Sequence, residues 1–247
     1  LFIDDEISTG NTILNFISAL EGIGVRSRYS VASFLNWQNE EWSKKFEILD
    51  ISIYFVIRGS LKDLSAKVPI DTLAQSRFIP SSNVSPILCT VNCRISNFYA
   101  ERLGNVHIRL EDFSHVLYSN IERMISSFLP HEKEEVLVLG TEEFMFAPLV
   151  FGQMLGYTKS IPVWFHATTR NPIETSNFAN YAISKSFSIT SCYDSSRNTF
   201  IYNLRKYDRV FIVTDVIPNE NFIKDITAAL VSVGTLPENI IIIVLKG

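Results

Sequence analysis

Two carboxylates and a short polar loop near the start of the chain are suited to binding a sugar phosphate. Asp4 and Asp5 follow the apolar run 1–3, and a loop of hydroxyl, amide and glycine residues precedes a helical pattern. Backbone N–H groups in the first turn of a helix lack partners within the helix and bind anions. The predicted phosphate and ribose site consists of Asp4, Asp5, Ser8, Thr9, Gly10, Asn11 and Thr12.

A second polar cluster follows two strand patterns in the later part of the chain. Its residues are Gly140, Thr141, Glu142 and Glu143 after one apolar run, and Thr168, Thr169 and Arg170 after the next. An arginine at the end of a strand, flanked by hydroxyls, can bind an anion with two parallel hydrogen bonds. Two alternatives stay open. Arg170 could form a structural salt bridge with Glu142 or Glu143, and the two glutamates could occupy the first turn of a helix.

The elements that must position these residues alternate between strands and helices. Ile13, Phe16, Ile17 and Leu20 recur at helical spacing, and glycines follow them. Strand patterns are predicted at 1–3, 29–35, 51–57, 136–139, 161–165, 210–213 and 240–245, and helices at 113–129, from 140 to about 155 and at 222–233. This order predicts an α/β fold with mostly parallel sheets.

The chain is predicted to contain two α/β domains, 1–80 and 81–247. The segment 60–85 has weak periodicity and contains Pro69 and Pro80, which is typical of a linker. The first residue already lies inside a strand pattern, so we expect this chain to be a fragment or truncated product. No repeat or low-complexity tract is present.

Composition restricts the function classes. A formal net charge of −4 over 247 residues gives no electrostatic reason to expect nucleic acid. No apolar stretch is long enough to span a bilayer and no signal peptide is visible, so we expect no membrane association and a cytoplasmic location. Three cysteines fit a reducing compartment, and neither the pair Cys89 and Cys93 nor the four histidines predict a metal site.

Residues 1–12 resemble the phosphoribosyl pyrophosphate (PRPP) motif of type I phosphoribosyltransferases. The resemblance implies that Asp4 and Asp5 contact the ribose 2′- and 3′-hydroxyls and that residues 8–12 surround the 5′-phosphate. Glu6 stands where the common motif has an aliphatic residue. Asp-Asp-Glu followed by Ile-Ser-Thr-Gly is instead similar to the bacterial PRTase_2 branch, which is often fused to a TRSP domain.

The second cluster resembles that TRSP domain. The similarity lies in residues 140–145 and 168–173, with Asn171 replacing the serine of the Thr-Arg-Ser-Pro tetrapeptide. The family implies a partial phosphoribosyltransferase-like sheet followed by a Rossmann-like α/β domain. It also implies a role in bacterial tellurite-resistance and stress gene clusters, in the synthesis of a nucleoside-like metabolite.

The resemblance implies transfer of ribose 5-phosphate from PRPP to an unidentified nucleophile, with Mg²⁺ bound through PRPP. The partner would be a small sugar phosphate or nucleotide. The pyrophosphate loop and the flexible catalytic loop of this fold lie upstream of the PRPP motif, so we expect this piece to be inactive alone. Catalytic residues stay unassigned.

Other interpretations of the first motif are a receiver domain with Asp50 as phosphoacceptor, a PRPP- or nucleotide-sensing module without catalysis, and two carboxylates that cap a helix. The second domain could also be the enzyme. A receiver predicts the phosphoacceptor at the carboxyl end of a strand, whereas Asp50 precedes the run 51–57.

Overall fold

The computed structural model describes residues 1–25, 28–60, 86–92, 110–127, 133–178 and 180–246. The chain divides into two compact units, Leu1–Val68 and Pro69–Gly247, which are described separately below. The predicted boundary between residues 80 and 81, with the proline-containing linker, lies outside the described residues.

The described part of unit 1 contains a three-stranded parallel sheet and two helices. The elements are β1 (Phe2–Ile7), α1 (Asn11–Gly22), β2 (Ser30–Asn36), α2 (Glu40–Ile48) and β3 (Ser52–Arg58). The strand order is β1-β2-β3, with β2 in the centre. The predicted strands and the first helix are confirmed.

Helix α2 was not predicted, because the segment after β2 is polar and lacks a clear apolar stripe. Its first turn is stabilised by the Asn39 side chain, which accepts a hydrogen bond from the Trp42 amide at 3.0 Å. Glu40 and Glu41 also favour the positive end of the helix dipole. A single buried side chain, Phe46, fixes α2 to the rest of the unit.

The core of unit 1 lies on one face of the sheet. Its buried residues are Ile7, Ile13, Ile17, Val31, Phe46 and Ile51. Ile13 and Ile17 of the predicted helical stripe are buried, whereas Phe16 is 60% exposed and its ring lies 6.3 Å from that of Phe2.

Unit 2 is built on a five-stranded parallel sheet in the order β4-β10-β9-β5-β6. The strands are β4 (Ile87–Asn92), β5 (Val136–Gly140), β6 (Val163–Ala167), β9 (Arg209–Thr214) and β10 (Ile240–Lys246), and the helices are α3 (Leu110–Ser127), α4 (Phe146–Lys159) and α5 (Glu220–Ser232). A short 3₁₀ helix, Pro237–Asn239, precedes β10. The predicted α/β class is confirmed.

The central strands of unit 2 are buried on both faces, which explains their continuous apolar runs. One core cluster includes Phe151 of α4 and Phe211 of β9, whose rings meet edge to face at 5.3 Å. The other includes Leu137 of β5 and Phe222 of α5. None of the helices described is long and apolar enough to cross a membrane.

An antiparallel hairpin that was not predicted lies between β6 and β9. Its strands are β7 (Ser186–Thr190) and β8 (Asn198–Tyr202). Phe187, Ile189 and Ile201 point into the unit 2 core, and serine and threonine alternate with the first two along β7. The hairpin matters for function because its connecting segment, 191–197, reaches the polar cluster at the end of β5.

The Asn219 side chain connects helix α5 to this hairpin. It accepts a hydrogen bond from the Phe222 amide at 2.9 Å and donates one to the Ser191 carbonyl at 2.8 Å.

We expect Asn219→Ala to lower the free energy of unfolding by about 1–2 kcal/mol, measured by urea denaturation. Asn221→Ala, at an exposed position of the same helix, should change it by less than about 0.5 kcal/mol. Equal effects of the two substitutions would contradict the role of Asn219.

Candidate functional site

The two aspartates of the first motif lie within β1 and not in the loop that follows it. The strand was predicted to end at Asp4 and Asp5, but it continues to Ile7, which pairs with Asn36 of β2. Both carboxylates are exposed on this strand, which is at the edge of the sheet formed by the described residues. Partial desolvation, followed by the side-chain interaction with Asp5, raises the pKa of Asp4. The Asp5 amide donates to Asp4 Oδ1 at 3.0 Å and opposes this shift.

The loop Ser8–Gly10 leads directly into α1. Gly10 adopts a left-handed conformation, with φ of 80°, and its carbonyl accepts from the Leu14 amide at 3.0 Å. The Asn11 amide donates to Thr9 Oγ1 at 3.3 Å. Within the described residues, no protein acceptor bonds the amides of Thr12 and Ile13. Since Ser8, Asn11 and Thr12 are exposed, this helix start is open to an anion.

A buried glutamine that the sequence analysis did not single out supports this loop. Gln38 Nε2 donates to the Thr9 carbonyl at 3.0 Å, and the Gln38 amide donates to Asn36 Oδ1 at 2.9 Å. Gln38 is only 3% exposed, and its Oε1 has no hydrogen-bond partner among the described residues. Gln38 could have been found from the sequence, because it is a polar residue just after the central strand of a parallel sheet. Ligands bind at that end of such strands.

A pocket of about 520 Å³ adjoins the underside of the loop. Gln38 and Phe46 line it, together with Asn36, Asp50 and Arg58. The pocket wall contains none of the residues predicted for the phosphate and ribose site. The predicted phosphate site at the start of α1 and this pocket are therefore two distinct features of unit 1.

Two alternatives for this motif do not fit the structure. Asp50 precedes β3 and so lies at the amino end of that strand, whereas a receiver phosphoacceptor belongs at the carboxyl end. The carboxylates of Asp4 and Asp5 do not cap α1, because Gly10 is its N-cap residue and no side chain caps it. The helix-cap interpretation is therefore wrong.

In unit 2, the polar cluster at the end of β5 is centred on Glu142, whose side chain is fully buried. Glu142 Oε2 accepts from Arg170 Nε at 2.8 Å and from Arg197 Nη2 at 2.7 Å. Ser191 Oγ donates to Oε1, and the Glu142 amide donates to Thr168 Oγ1 at 3.0 Å. The structure therefore brings predicted residues of β5 and β6 together around one carboxylate.

The Arg170–Glu142 salt bridge, one of the two alternatives for Arg170, is present. It raises the pKa of Arg170, chiefly through the hydrogen bond to Glu142. Glu143 is exposed and Thr169 pairs with Phe200 of β8, so neither joins the contacts of Glu142. The first-turn interpretation of the two glutamates is wrong, because α4 begins only at Phe146.

Gly140 is the last residue of β5, and a residue with a side chain would not fit at this position. A Cβ atom there would lie 2.8 Å from the Phe144 carbonyl oxygen. The chain then turns sharply, with Glu142 at φ of 51° and a bridge between Thr141 and Phe144. This turn directs the Glu142 side chain inward, toward the ends of β6 and the hairpin.

Sequence reasoning missed Ser191, Tyr193, Arg197 and Asp215. The Tyr193 hydroxyl lies 2.9 Å from Thr141 Oγ1 and donates to Asp215 Oδ1 at 2.6 Å. Asp215 directly follows the buried strand β9, so its position at a strand end was a usable signal. The other three lie on the hairpin connection and had no local signal.

Two models of known families match the chain. Residues 101–230, more than half of the chain, match the model described as "TRSP domain C terminus to PRTase_2". The chain belongs to the TRSP family. Residues 1–60 match the PRTase_2 phosphoribosyl transferase model, so the predicted PRTase_2 and TRSP arrangement is confirmed. No curated protein and no solved structure matches the chain.

The two family matches cover different polar clusters. The PRTase_2 match includes the loop Ser8–Gly10, the start of α1 and Gln38, and it indicates a phosphoribosyltransferase-type function. The TRSP match includes Glu142, Arg170 and Arg197 with their shared hydrogen bonds. Within the described residues, no group of three or more His, Cys, Asp or Glu side chains could hold a metal ion, and Cys93 lies outside them.

Three glycine substitutions separate backbone strain from steric conflict at the loop. Gly10 and Gly24 both have positive φ, but a Cβ at Gly10 would lie 2.5 Å from the Phe46 ring, whereas nothing lies within 4 Å at Gly24. We expect Gly24→Ala to destabilise by about 1 kcal/mol and Gly10→Ala by clearly more. Gly22→Ala, in helix α1, should be neutral or stabilising by up to about 1 kcal/mol. Thermal unfolding measures all three, and equal losses at Gly10 and Gly24 would exclude the conflict with Phe46.

Proposed function

We propose that the PRTase_2 part of the chain binds PRPP or a ribose 5-phosphate group at the start of α1. The observation that carries this proposal is the exposed helix N-terminus, at which the amides of Thr12 and Ile13 have no acceptor within the described residues. Phosphate oxygens supply such acceptors and are favoured by the helix dipole. Gln38 supports the proposal, because it holds the Thr9 carbonyl from below and keeps the loop in shape.

Asp4 and Asp5 have the chemistry to accept hydrogen bonds from the ribose hydroxyls. Both side chains are exposed, so the carboxylates are accessible to a ligand. Adjacent side chains leave a strand in different directions, so Asp4 and Asp5 approach one sugar at different angles. One of the two aspartates should therefore contribute more to binding than the other.

Mg²⁺ in this proposal enters with PRPP, held mainly by oxygens of the ligand. The donor set fits this role, because exposed carboxylates of unit 1 offer oxygen ligands but no dedicated metal cluster is present among the described residues. Mg²⁺ commonly keeps its waters and uses few protein ligands. The ion would neutralise charge on the pyrophosphate.

The proposed reaction transfers ribose 5-phosphate from PRPP to a nucleophile and releases pyrophosphate. Its transition state resembles an oxocarbenium ion, so positioning and charge stabilisation would contribute most to the rate. The family resemblance further supports a nucleoside-like product and a link to bacterial tellurite resistance as parts of this proposal. The few cysteines support a cytoplasmic location. We expect residues 1–247 to bind the ligand without turnover, and release of pyrophosphate would contradict that expectation.

Calorimetric titrations with ribose 5-phosphate, and with PRPP plus Mg²⁺, test the site. Asp4→Asn and Asp5→Asn should differ in effect, and the more important one should weaken ribose 5-phosphate binding about tenfold or more. Neither substitution should change the affinity for inorganic phosphate. Thr12→Val removes a hydroxyl with little change of shape, and it should weaken the binding of both ribose 5-phosphate and PRPP.

Glu21→Gln, which removes one exposed negative charge at the far end of α1, is the matched control and should leave every affinity unchanged. If neither aspartate variant differs from this control, Asp4 and Asp5 do not contact the sugar. If Thr12→Val binds ribose 5-phosphate as the native chain does, the Thr12 hydroxyl does not contact the phosphate group.

A further inference from the structure

Two arginines share one buried carboxylate in unit 2, at the edge where the parallel strands end. Glu142 is fully buried, and its partners Arg170 and Arg197 have side chains 48% and 36% exposed. Each guanidinium bonds the same atom, Glu142 Oε2. This group of three therefore carries one excess positive charge, with the arginines on its solvent side.

The arrangement is not one that stability alone favours. Burying a carboxylate costs several kcal/mol, and buried ion pairs are often no more stabilising than apolar residues of similar size. Glu142 also has a positive φ, which is uncommon for a residue with a side chain. Strained residues of this kind are concentrated at functional sites. The buried Glu142 carboxylate is therefore better explained by its effect on the two arginines, whose guanidiniums it orients.

Among the described residues, the protein uses few of the donors of these guanidiniums. Arg170 bonds Glu142 through Nε alone, and Arg197 uses only Nη2, which bonds Glu142 and Ser191. Arg197 Nε is buried and has no acceptor among the described residues. A buried donor without a partner is costly, and an anion at this position would satisfy it.

The position in the sheet is that of a ligand crevice. The connection after β5 leads to β6 on one side, whereas β9 and β10 lie on the other side of β5. Open parallel sheets bind ligands where the strand order reverses, outside the carboxyl ends. Here the Tyr193 hydroxyl joins Thr141 after β5 to Asp215 after β9. Ser191 Oγ links Tyr193 to Glu142, so the two groups are continuous.

We propose that Arg170 and Arg197 bind the phosphate group of a phosphate monoester in unit 2, with Tyr193 beside it. A phosphate dianion offers several oxygens to two forked guanidiniums, and its charge is opposite in sign to the one excess positive charge of the group. This site lies in the TRSP part of the chain and does not rest on the proposed PRPP site in unit 1. Glu142 is a positioning residue and Arg170 and Arg197 are the binding residues.

The direct test follows the side-chain Nε–H signals of Arg170 and Arg197 by NMR while inorganic phosphate is added to the full 247-residue chain. We expect the Arg197 signal to shift saturably, because its Nε gains an acceptor. The same titration with sodium chloride at equal ionic strength should produce no saturable shift. Absence of a saturable shift with phosphate, or an equal shift with chloride, would overturn the proposal.

Substitutions then assign the effect to this site. Arg170→Lys keeps a positive charge beside Glu142 but loses the fork, and it should weaken phosphate binding at Arg197 by about tenfold or more. Lys206→Gln removes an exposed charge just before β9, at the amino end of that strand and so away from the arginines. It should leave the affinity for phosphate unchanged. If Arg170→Lys and Lys206→Gln give the same affinity as the native chain, Arg170 does not contact the anion.

The unit 1 variant Thr12→Val distinguishes this site from the proposed PRPP site. It should leave the phosphate shift of Arg197 intact even where calorimetry shows weaker binding in unit 1. Loss of the Arg197 shift in Thr12→Val would overturn the proposal of an independent site. If Arg170→Lys does not fold, the native titration at Arg197 still decides the question.

Discussion

The carboxylate of Glu142 is the interaction on which the polar cluster of unit 2 depends. It bonds residues that lie 28, 49 and 55 positions further along the chain, namely Arg170, Ser191 and Arg197. Because its side chain is fully buried, removing these partners would leave a charge in an apolar environment. The ends of β5, β6 and the hairpin are therefore held together by one group, and the orientation of both arginines follows from it.

Unit 1 uses a neutral group for a comparable purpose. Gln38 is buried below the loop Ser8–Gly10 and fixes the Thr9 carbonyl, while the Phe46 ring fills the space under Gly10. A neutral amide suits this position, because the amides at the start of α1 already provide positive potential for an anion. In unit 2 no helix begins directly after β5, and guanidiniums supply the positive charge at its edge instead.

Much of the fold could be predicted from sequence, because buried parallel strands have continuous apolar runs. Val136–Gly140, Arg209–Thr214 and Ile240–Lys246 were found in this way. Helix α2 and the β7–β8 hairpin were missed. The outward sides of α2 and β7 are polar, and apolar contacts such as those of Phe46 and Ile189 fix these elements. Local periodicity is weak in such segments, and tertiary packing decides their structure.

The sites were predictable only where their residues follow recognisable strands. Thr141, Glu142, Thr168 and Arg170 were found because they follow apolar runs, and Asp215 could have been found for the same reason. Arg197 and Ser191 could not, because they lie on the connection of an unpredicted hairpin. Their relation to Glu142 exists only after the chain has folded.

The two sequence interpretations of Arg170, salt bridge and anion clamp, are compatible in the folded chain. A guanidinium has five N–H donors, and the bond to Glu142 uses only Nε of Arg170. The outer donors keep the planar fork that binds phosphate, and the salt bridge reduces the rotamer freedom that a ligand would otherwise have to restrict. A structural contact on one edge of the guanidinium thus prepares the other edge for binding. The observed salt bridge therefore does not argue against a ligand at Arg170.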